Sequence, residues 1–441
     1  MNYDYKSIWR ISAPIIVSMI LTQLIGITDV IYLGRVGTTA LGAAGLGSTY
    51  FFAFFMLVSG FAFGSQVIIS RRNGEKKYTK IGAVLYQGSS FLILGSFILI
   101  LISYFLSPYV FRIMVAQRKV ADAAIDYINI RIFGLIAVSF LMMFRAFFVG
   151  IAQTFALQLI SVSMVLFNIV LNYVFIFGFG IIPALGIRGA AIASVSSEFL
   201  AVLVCIVYMA LKVDIKKYAL NCFVFKNLKL LRSILNLSVW TMLQQFVSVF
   251  TWFLFFIAVE HLGEDELAIS NILKNSAGIP MIVIISFAAA AGTITGNLIG
   301  EKRSDEVLTA SNKVACLNTW VILCMLLIFG VFYYPILRMY TNDVLLIKKA
   351  TLPYFTALLC YLPLFSGWVW FQNVSATGNA RYSMWIEVVA MVFYLLFVGV
   401  VIYQLKMPLY ICMFADGVYN LVIWVMGRQF MLSERWVGKK V

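Results

Sequence analysis

The chain has 441 residues, of which 63% are hydrophobic and only 12% are charged, and its mean hydropathy is +0.97. Soluble domains average roughly 45–50% apolar and about 25% charged residues. A water-soluble fold therefore has no interior large enough for this composition. The net charge of +15 fits membrane topology and contact with anionic lipids, and does not indicate nucleic-acid binding. The single histidine, His261, excludes a HExxH zinc site and a bis-histidine haem, since each needs two histidines.

Apolar runs bounded by charged turns predict twelve transmembrane helices, because a helix needs about 20 residues to cross the bilayer. The runs are continuous rather than alternating, which excludes a transmembrane barrel. The first run carries Lys6 and Arg10 at its front and lacks a small-residue cleavage site, so we expect a retained helix rather than a signal peptide. The predicted helices cover residues 8–33, 46–70, 82–106, 128–150, 155–178, 186–211, 234–260, 267–299, 311–336, 350–376, 382–404 and 407–428.

Lysine and arginine concentrate in alternate loops, which indicates those on the cytoplasmic side. With the N-terminus inside, the internal loops contain the basic clusters at residues 71–80, 212–232 and 302–303. We therefore expect a multi-pass protein of a cytoplasmic (inner) membrane with both termini in the cytoplasm. The six cysteines lie mostly in or near apolar runs and do not suggest a disulfide framework.

The two halves of the chain share landmarks at a nearly constant offset. The matched pairs are Ser12 with Ser238, Gly37 with Gly263 and Gly74 with Gly300, each separated by 226 residues, and Gly150 with Gly378, separated by 228. We interpret residues 1–211 and 233–441 as two six-helix lobes and residues 212–232 as a cytoplasmic linker. Internal duplication in a membrane chain is typical of transporters whose site lies within or between the repeats.

Polar side chains inside apolar runs are the candidate site residues, because they are costly in a bilayer and usually functional. Asp29 lies late in the first predicted helix; the alternative is that it only reaches the external interface. Asn168 and Asn172 are four residues apart and share one face of the fifth predicted helix. Their alternative role is hydrogen bonding between helices. Ser194 of the sixth helix has a hydroxyl that can join the same cluster or bond its own backbone.

Further residues carry weaker signals. Pro14 lies in the first helix and predicts a hinge or a static kink. Charged groups in apolar runs are candidates for lining a cavity, with a buried salt bridge among them as the alternative. These cavity candidates are Arg145, Glu198, Lys274, Glu387 and Asp416.

Four features in this order resemble the multidrug and toxic compound extrusion (MATE) family over essentially the whole chain: Pro14 with Asp29, residues 60–74, Asn168-Ile-Val-Leu-Asn172 followed by Ile-Phe-Gly at 176–178, and Gly186-Ile-Arg-Gly-Ala-Ala191. The resemblance implies an all-α integral membrane fold of two pseudo-symmetric six-helix lobes forming a V that opens alternately to each side. It also implies an amino-terminal cation site at Asp29, Asn168, Asn172 and Ser194 that holds H⁺ or Na⁺. Ser248 and Ser366 stand where sodium-coupled relatives have acids, which favours coupling through Asp29.

The expected function is a secondary antiporter that exports amphipathic or cationic small molecules in exchange for H⁺ or Na⁺. We expect no cofactor and no metal beyond Na⁺ at Asp29, and a monomer whose partners are its substrate and membrane lipids. The alternative is a lipid-linked oligosaccharide flippase of the same superfamily, but its pyrophosphate calls for several cationic groups and only Arg145 and Lys274 qualify. An enzyme is disfavoured, because the sequence lacks paired DDxxD-type acids and a GxSxG elbow.

Overall fold

A computed structural model describes residues 3–115, 117–221, 228–341 and 343–438. These residues are helical apart from turns and one isolated β-bridge between Phe179 and Ile182. The helices of the first half are α1 (Tyr5–Val36), α2 (Thr38–Gly74), α3 (Tyr78–Met114), α4 (Arg118–Arg131), α5 (Gly134–Gly150), α6 (Phe155–Phe177) and α7 (Ile187–Lys212). Those of the second half are α8 (Leu228–Glu260), α9 (Glu264–Ser276), α10 (Gly278–Gly300), α11 (Val307–Val331), α12 (Tyr333–Tyr340), α13 (Val344–Cys360), α14 (Leu364–Ala376), α15 (Ala380–Val398), α16 (Leu409–Cys412) and α17 (Phe414–Leu432).

Within the described ranges, ten helical segments are long and apolar enough to cross a membrane. Two further pairs pass the same criterion together but are bent, α4 with α5 by 50° and α13 with α14 by 44°. If each bent pair is one span, the number rises to twelve. The predicted all-helical, multi-pass membrane fold is confirmed, and the two bends were not foreseen.

The backbone repeats the duplication that the sequence indicates. Residues with positive φ recur in pairs: Gly37 (148°) with Gly263 (141°), Lys76 (57°) with Lys302 (62°), and Ala152 (59°) with Gly378 (87°). The last pair corrects the predicted match of Gly150 with Gly378, because the left-handed residue after α5 is Ala152. The offset is therefore 226 residues here as well, without the predicted drift to 228.

The chain forms two compact units. The first unit runs from Ala13 to Ser238, and the second combines the residues up to Ser12 with those from Val239 onward. Both divisions follow directly after the paired serines, Ser12 and Ser238. Each therefore falls within a long helix, α1 or α8, rather than in a loop.

The predicted linker, residues 212–232, is only partly described. Turns follow the end of α7 up to residue 221, and the Lys217 ammonium lies 4.2 Å from the centroid of the Tyr78 ring at the start of α3. Residues 222–227, which include Cys222, lie outside the described residues. Residues 228–232 are already part of α8.

Candidate functional site

The Asp29 carboxylate is held in the first unit by side chains from two other helices. Asn172 on α6 donates its amide hydrogen to Asp29 Oδ1 at 2.6 Å, and the Ser194 hydroxyl on α7 donates to Asp29 Oδ2 at 3.3 Å. Asn168 joins the same cluster: its Oδ1 accepts from Asn172 Nδ2 at 3.0 Å, and its Nδ2 donates to Ser194 Oγ at 3.5 Å. The structure therefore brings the four predicted residues together.

This cluster has the donor chemistry of a site for a small hard cation. Besides the two carboxylate oxygens, it contains the amide oxygens of Asn168 and Asn172 and the hydroxyl of Ser194. The Asn172 Oδ1 atom is buried and accepts no hydrogen bond. A buried acceptor without a partner is costly, and a bound cation would satisfy it. Among the described residues, no group of three or more His, Cys, Asp or Glu side chains could hold a metal ion.

Close packing of α6 on α7 sets the geometry of the cluster. Gly189 lies one and a half turns before Ser194 on α7, and a Cβ atom at this position would lie 2.2 Å from the Phe175 carbonyl oxygen on α6. Asn168 and Asn172 are fully buried, and Ser194 is nearly so. Because glycine lacks a side chain, the two backbones approach closely and the Ser194 hydroxyl comes within reach of both Asn168 and Asp29.

A cavity of about 360 Å³ in the first unit opens beside this cluster. Asp29 and Ser194 line it, as does an ion pair that connects α4 to α7. In that pair, the Arg131 guanidinium donates to both carboxylate oxygens of Glu198, at 2.6 and 3.0 Å. It also lies 3.9 Å from the centroid of the Phe51 ring. Glu198 was predicted as a cavity candidate, whereas Arg131 was missed as its partner.

Gly134, at the bend between α4 and α5, leaves room for this ion pair. Gly134 begins α5, and a Cβ atom there would lie 2.3 Å from both Arg131 Nη1 and Glu198 Oε2. Any larger residue would force the two charged groups to move. Glycine after the charged end of α4 was the available sequence signal for this bend, which has no proline of its own.

Arg145 on α5 also lines the cavity, and it differs from Arg131 in having no ion-pair, hydrogen-bond or ring partner among the described residues. The remaining lining is largely apolar. Arg145, a cavity candidate in the sequence analysis, therefore lies at a cavity wall.

Pro14 lies inside α1, which continues as one helix through it.

The other three predicted cavity residues lie in the second unit and form two separate contacts. The Lys274 ammonium donates to both oxygens of Asp416, at 2.7 and 2.5 Å, so the salt bridge considered from the sequence is present. Glu387 accepts a hydrogen bond from the Tyr419 hydroxyl, which also lies 3.4 Å from Ser248 Oγ. The Glu387 carboxylate therefore lies near Ser248, the position at which sodium-coupled relatives are expected to have an acid and this chain has a serine.

Comparison with known proteins agrees with this architecture. The MatE family model matches residues 14–174 and 241–400. The chain is similar to the probable multidrug resistance protein NorM of Pasteurella multocida (strain Pm70), with 27% identity over 343 residues that cover 77% of this chain and 74% of the relative. It is also similar to the multidrug resistance protein MdtK of Edwardsiella ictaluri (strain 93-146), with 23% identity over 350 residues, covering 79% of this chain and 76% of the relative.

Solved structures share the fold at low sequence identity. A multidrug resistance MATE family transporter of the MOP superfamily superposes with a TM-score of 0.90 at 19% identity, covering 99% of this chain and 97% of that one. A MOP superfamily transporter from Pyrococcus furiosus gives 0.87 at 18% identity, covering 97% and 95%. With the family model matching both halves, the chain is a multi-pass membrane protein that belongs to the MATE family of multidrug efflux transporters.

Proposed function

We propose that this transporter is a secondary antiporter that exports amphipathic small molecules from the cell in exchange for H⁺ or Na⁺ bound at Asp29. The observation that carries the proposal is the Asp29 cluster, in which the carboxylate contacts Asn172 and Ser194 and lies at the wall of the cavity. The protein would lie in the inner membrane with both termini in the cytoplasm, and residues 1–211 and 233–441 would act as its two lobes.

The shared cavity supports exchange rather than co-transport. A proton or Na⁺ at Asp29 removes or compensates its negative charge, which changes the field inside a space of about 360 Å³. A substrate in the same cavity therefore meets a different net charge when Asp29 is ion-bound than when it is ion-free. Each ligand, ion or substrate, favours the conformation that it binds more tightly, and the size of the shift is set by its difference in affinity for the two conformations. Pro14 in α1, on the same helix as Asp29, is the candidate hinge for the change.

The charges of the cavity favour a drug-sized substrate over a lipid-linked pyrophosphate. Only two cationic side chains line the cavity among the described residues, and Arg131 is already neutralised by Glu198. Lys274 lies in the second unit and is paired with Asp416. A pyrophosphate would call for several unpaired cations, so we do not favour the flippase alternative.

Transport by reconstituted protein tests the proposal. Proteoliposomes loaded with rhodamine 123 or rhodamine 110 would be placed in separate H⁺ and Na⁺ gradients, and dye flux would be followed by fluorescence. We expect one gradient to drive flux in the wild type and Asp29→Asn to abolish the driven component. Asp122→Asn, which changes an exposed aspartate of α4, should behave as wild type. Gradient-driven flux of equal size in Asp29→Asn would contradict the proposal.

A further inference from the structure

Arg145 is a permanent positive charge that the protein leaves without a partner. The arginine lies in α5, within the bent span formed with α4, and its side chain is half-buried at the cavity wall. No carboxylate, hydrogen-bond acceptor or aromatic ring contacts it among the described residues. Arginine does not lose its proton in proteins. The cation therefore persists in every state of the transport cycle.

The other charged groups on the cavity wall contact side chains of the protein. Arg131 and Glu198 neutralise each other through two hydrogen bonds, and Asp29 is held by Asn172 and Ser194. An unpaired charge inside a membrane span is costly and is retained where it has a role. Among the described residues, Arg145 is thus the one cation of the lining that has no partner in the protein and can bind an anionic group.

The surroundings of Arg145 are those of a site for a flat aromatic molecule. The apolar part of the wall contains Phe51, Phe52, Phe55, Met142, Phe144 and Met164. Aromatic rings and methionines accommodate planar apolar groups with little specificity. A guanidinium among them adds one directional requirement, since its planar fork matches a carboxylate with two parallel hydrogen bonds.

The duplicated half supports a specific role for this arginine. Ala152 in the first half corresponds to Gly378 in the second, and both have positive φ. Counting back seven residues from each, Arg145 corresponds to Phe371. Phe371 is fully buried. The fold therefore accepts an apolar residue at this position, and packing alone does not call for arginine.

We infer that Arg145 is a specificity-determining residue that selects aromatic substrates carrying a carboxylate and disfavours simple organic cations. This inference rests on the proposed function for the cavity and names its substrate class. A soluble zwitterionic or anionic compound would place its aromatic system against the phenylalanines and its carboxylate on Arg145. Of the amphipathic or cationic small molecules expected from the sequence, Arg145 would favour those that carry a carboxylate.

Rhodamine 110 and rhodamine 123 are matched probes for this inference, because they share a planar ring system and differ only in a carboxylate against its methyl ester. Binding of each dye to purified, delipidated protein would be measured by fluorescence anisotropy without any ion gradient. We expect the wild type to prefer rhodamine 110 by roughly tenfold or more, as for a charge-assisted hydrogen bond to a guanidinium. Arg145→Met should abolish the preference, and Arg145→Lys should retain part of it.

Control variants make the result specific. Arg112→Met removes an exposed arginine of α3 and should leave the preference unchanged. Arg145→Met should fold at least as well as the wild type, because it removes an unpaired charge; thermal unfolding checks this. An equal preference in wild type and Arg145→Met would overturn the inference, as would a wild type that favours the ester.

Anionic lipid is the other source of the same chemistry, and a competition arm separates the two. We expect phosphatidylglycerol added to the delipidated protein to leave the dye preference unchanged. If it displaces rhodamine 110 from the wild type but not from Arg145→Met, Arg145 is a lipid site and the inference is overturned. Because binding is measured without a gradient, loss of the dye preference and loss of ion coupling at Asp29 are separate outcomes.

Discussion

The two units use the same backbone positions for different chemistry. At the constant offset of 226 residues, Asp29 corresponds to Phe255, Asn168 to Tyr394, Asn172 to Val398 and Ser194 to Asn420. In the first unit these positions form a carboxylate–amide cluster; in the second, the Phe255 and Tyr394 rings pack with centroids 6.1 Å apart. The corresponding positions of the duplicated fold thus hold cation-ligand chemistry in the first unit and aromatic packing in the second.

The charged groups differ between the units in the same way. Lys274 of the second unit corresponds to Ser48, which lines the first-unit cavity. Its ammonium is paired with Asp416 and lies 4.8 and 4.9 Å from the ring centroids of Trp252 and Phe255. At the position where the first unit has the Ser48 hydroxyl at the cavity wall, the second unit therefore has a lysine paired with Asp416 and packed against aromatic rings. We take this as the reason to assign ion coupling to the first unit.

The largest stability effect expected from this comparison concerns its two ion pairs. Glu198→Gln leaves Arg131 buried without a counter-charge and should lower the free energy of unfolding by about 3 to 5 kcal/mol. Asp416→Asn should cost less, because the Asp416 side chain is 26% exposed against 10% for Glu198. Unfolding in mixed micelles would measure both. Combining Glu198→Gln with Arg131→Met should recover most of the loss; a cost below about 1 kcal/mol for Glu198→Gln would contradict the assigned pairing.

A smaller effect is expected where the first unit brings two helices into contact. Gly189→Ala places a Cβ atom against the Phe175 carbonyl oxygen and should cost about 1 to 3 kcal/mol by overpacking. It should also weaken ion coupling, since Ser194 moves with α7. The matched control is Gly95→Ala in α3, where a Cβ atom meets nothing within 4 Å; it should be neutral or slightly stabilising. Equal behaviour of the two variants would show that close α6–α7 packing is not required.

The smallest effect sharpens the functional side of the comparison. Ser194→Ala removes one neutral ligand from the Asp29 cluster and should weaken affinity for the coupling ion by roughly two- to tenfold, as for one hydrogen bond. Asn420→Ala, at the corresponding position of the second unit, removes a hydrogen bond to the Cys360 carbonyl. It should reduce stability without changing ion affinity. Titration of ion-dependent transport would check both, and a change only in Asn420→Ala would reverse the assignment.

The sequence predicted the cluster at Asp29 because its signals are local or carried by the family resemblance. Helical spacing places Asn168 and Asn172 on one face, and the resemblance adds Ser194. Arg131 was missed because its pairing with Glu198 depends on how α4 packs on α7, 67 residues away. The Glu387–Tyr419 contact likewise depends on packing between α15 and α17. The register of the duplication became clear only from the backbone, since Ala152, and not the predicted Gly150, shares the left-handed conformation of Gly378.

Substrate-induced ion release from the purified protein tests most directly whether coupling resides in the first unit. Rhodamine 110 would be added to detergent-solubilised wild type, Asp29→Asn, Glu387→Gln and the Ser248→Ala/Ser366→Ala double variant, with released protons followed by a pH indicator and released Na⁺ by a radioactive tracer. We predict release by the wild type, by Glu387→Gln and by the serine double variant, and none by Asp29→Asn. Release that persists in Asp29→Asn and disappears in Glu387→Gln or the serine double variant would place the coupling site in the second unit and contradict this account.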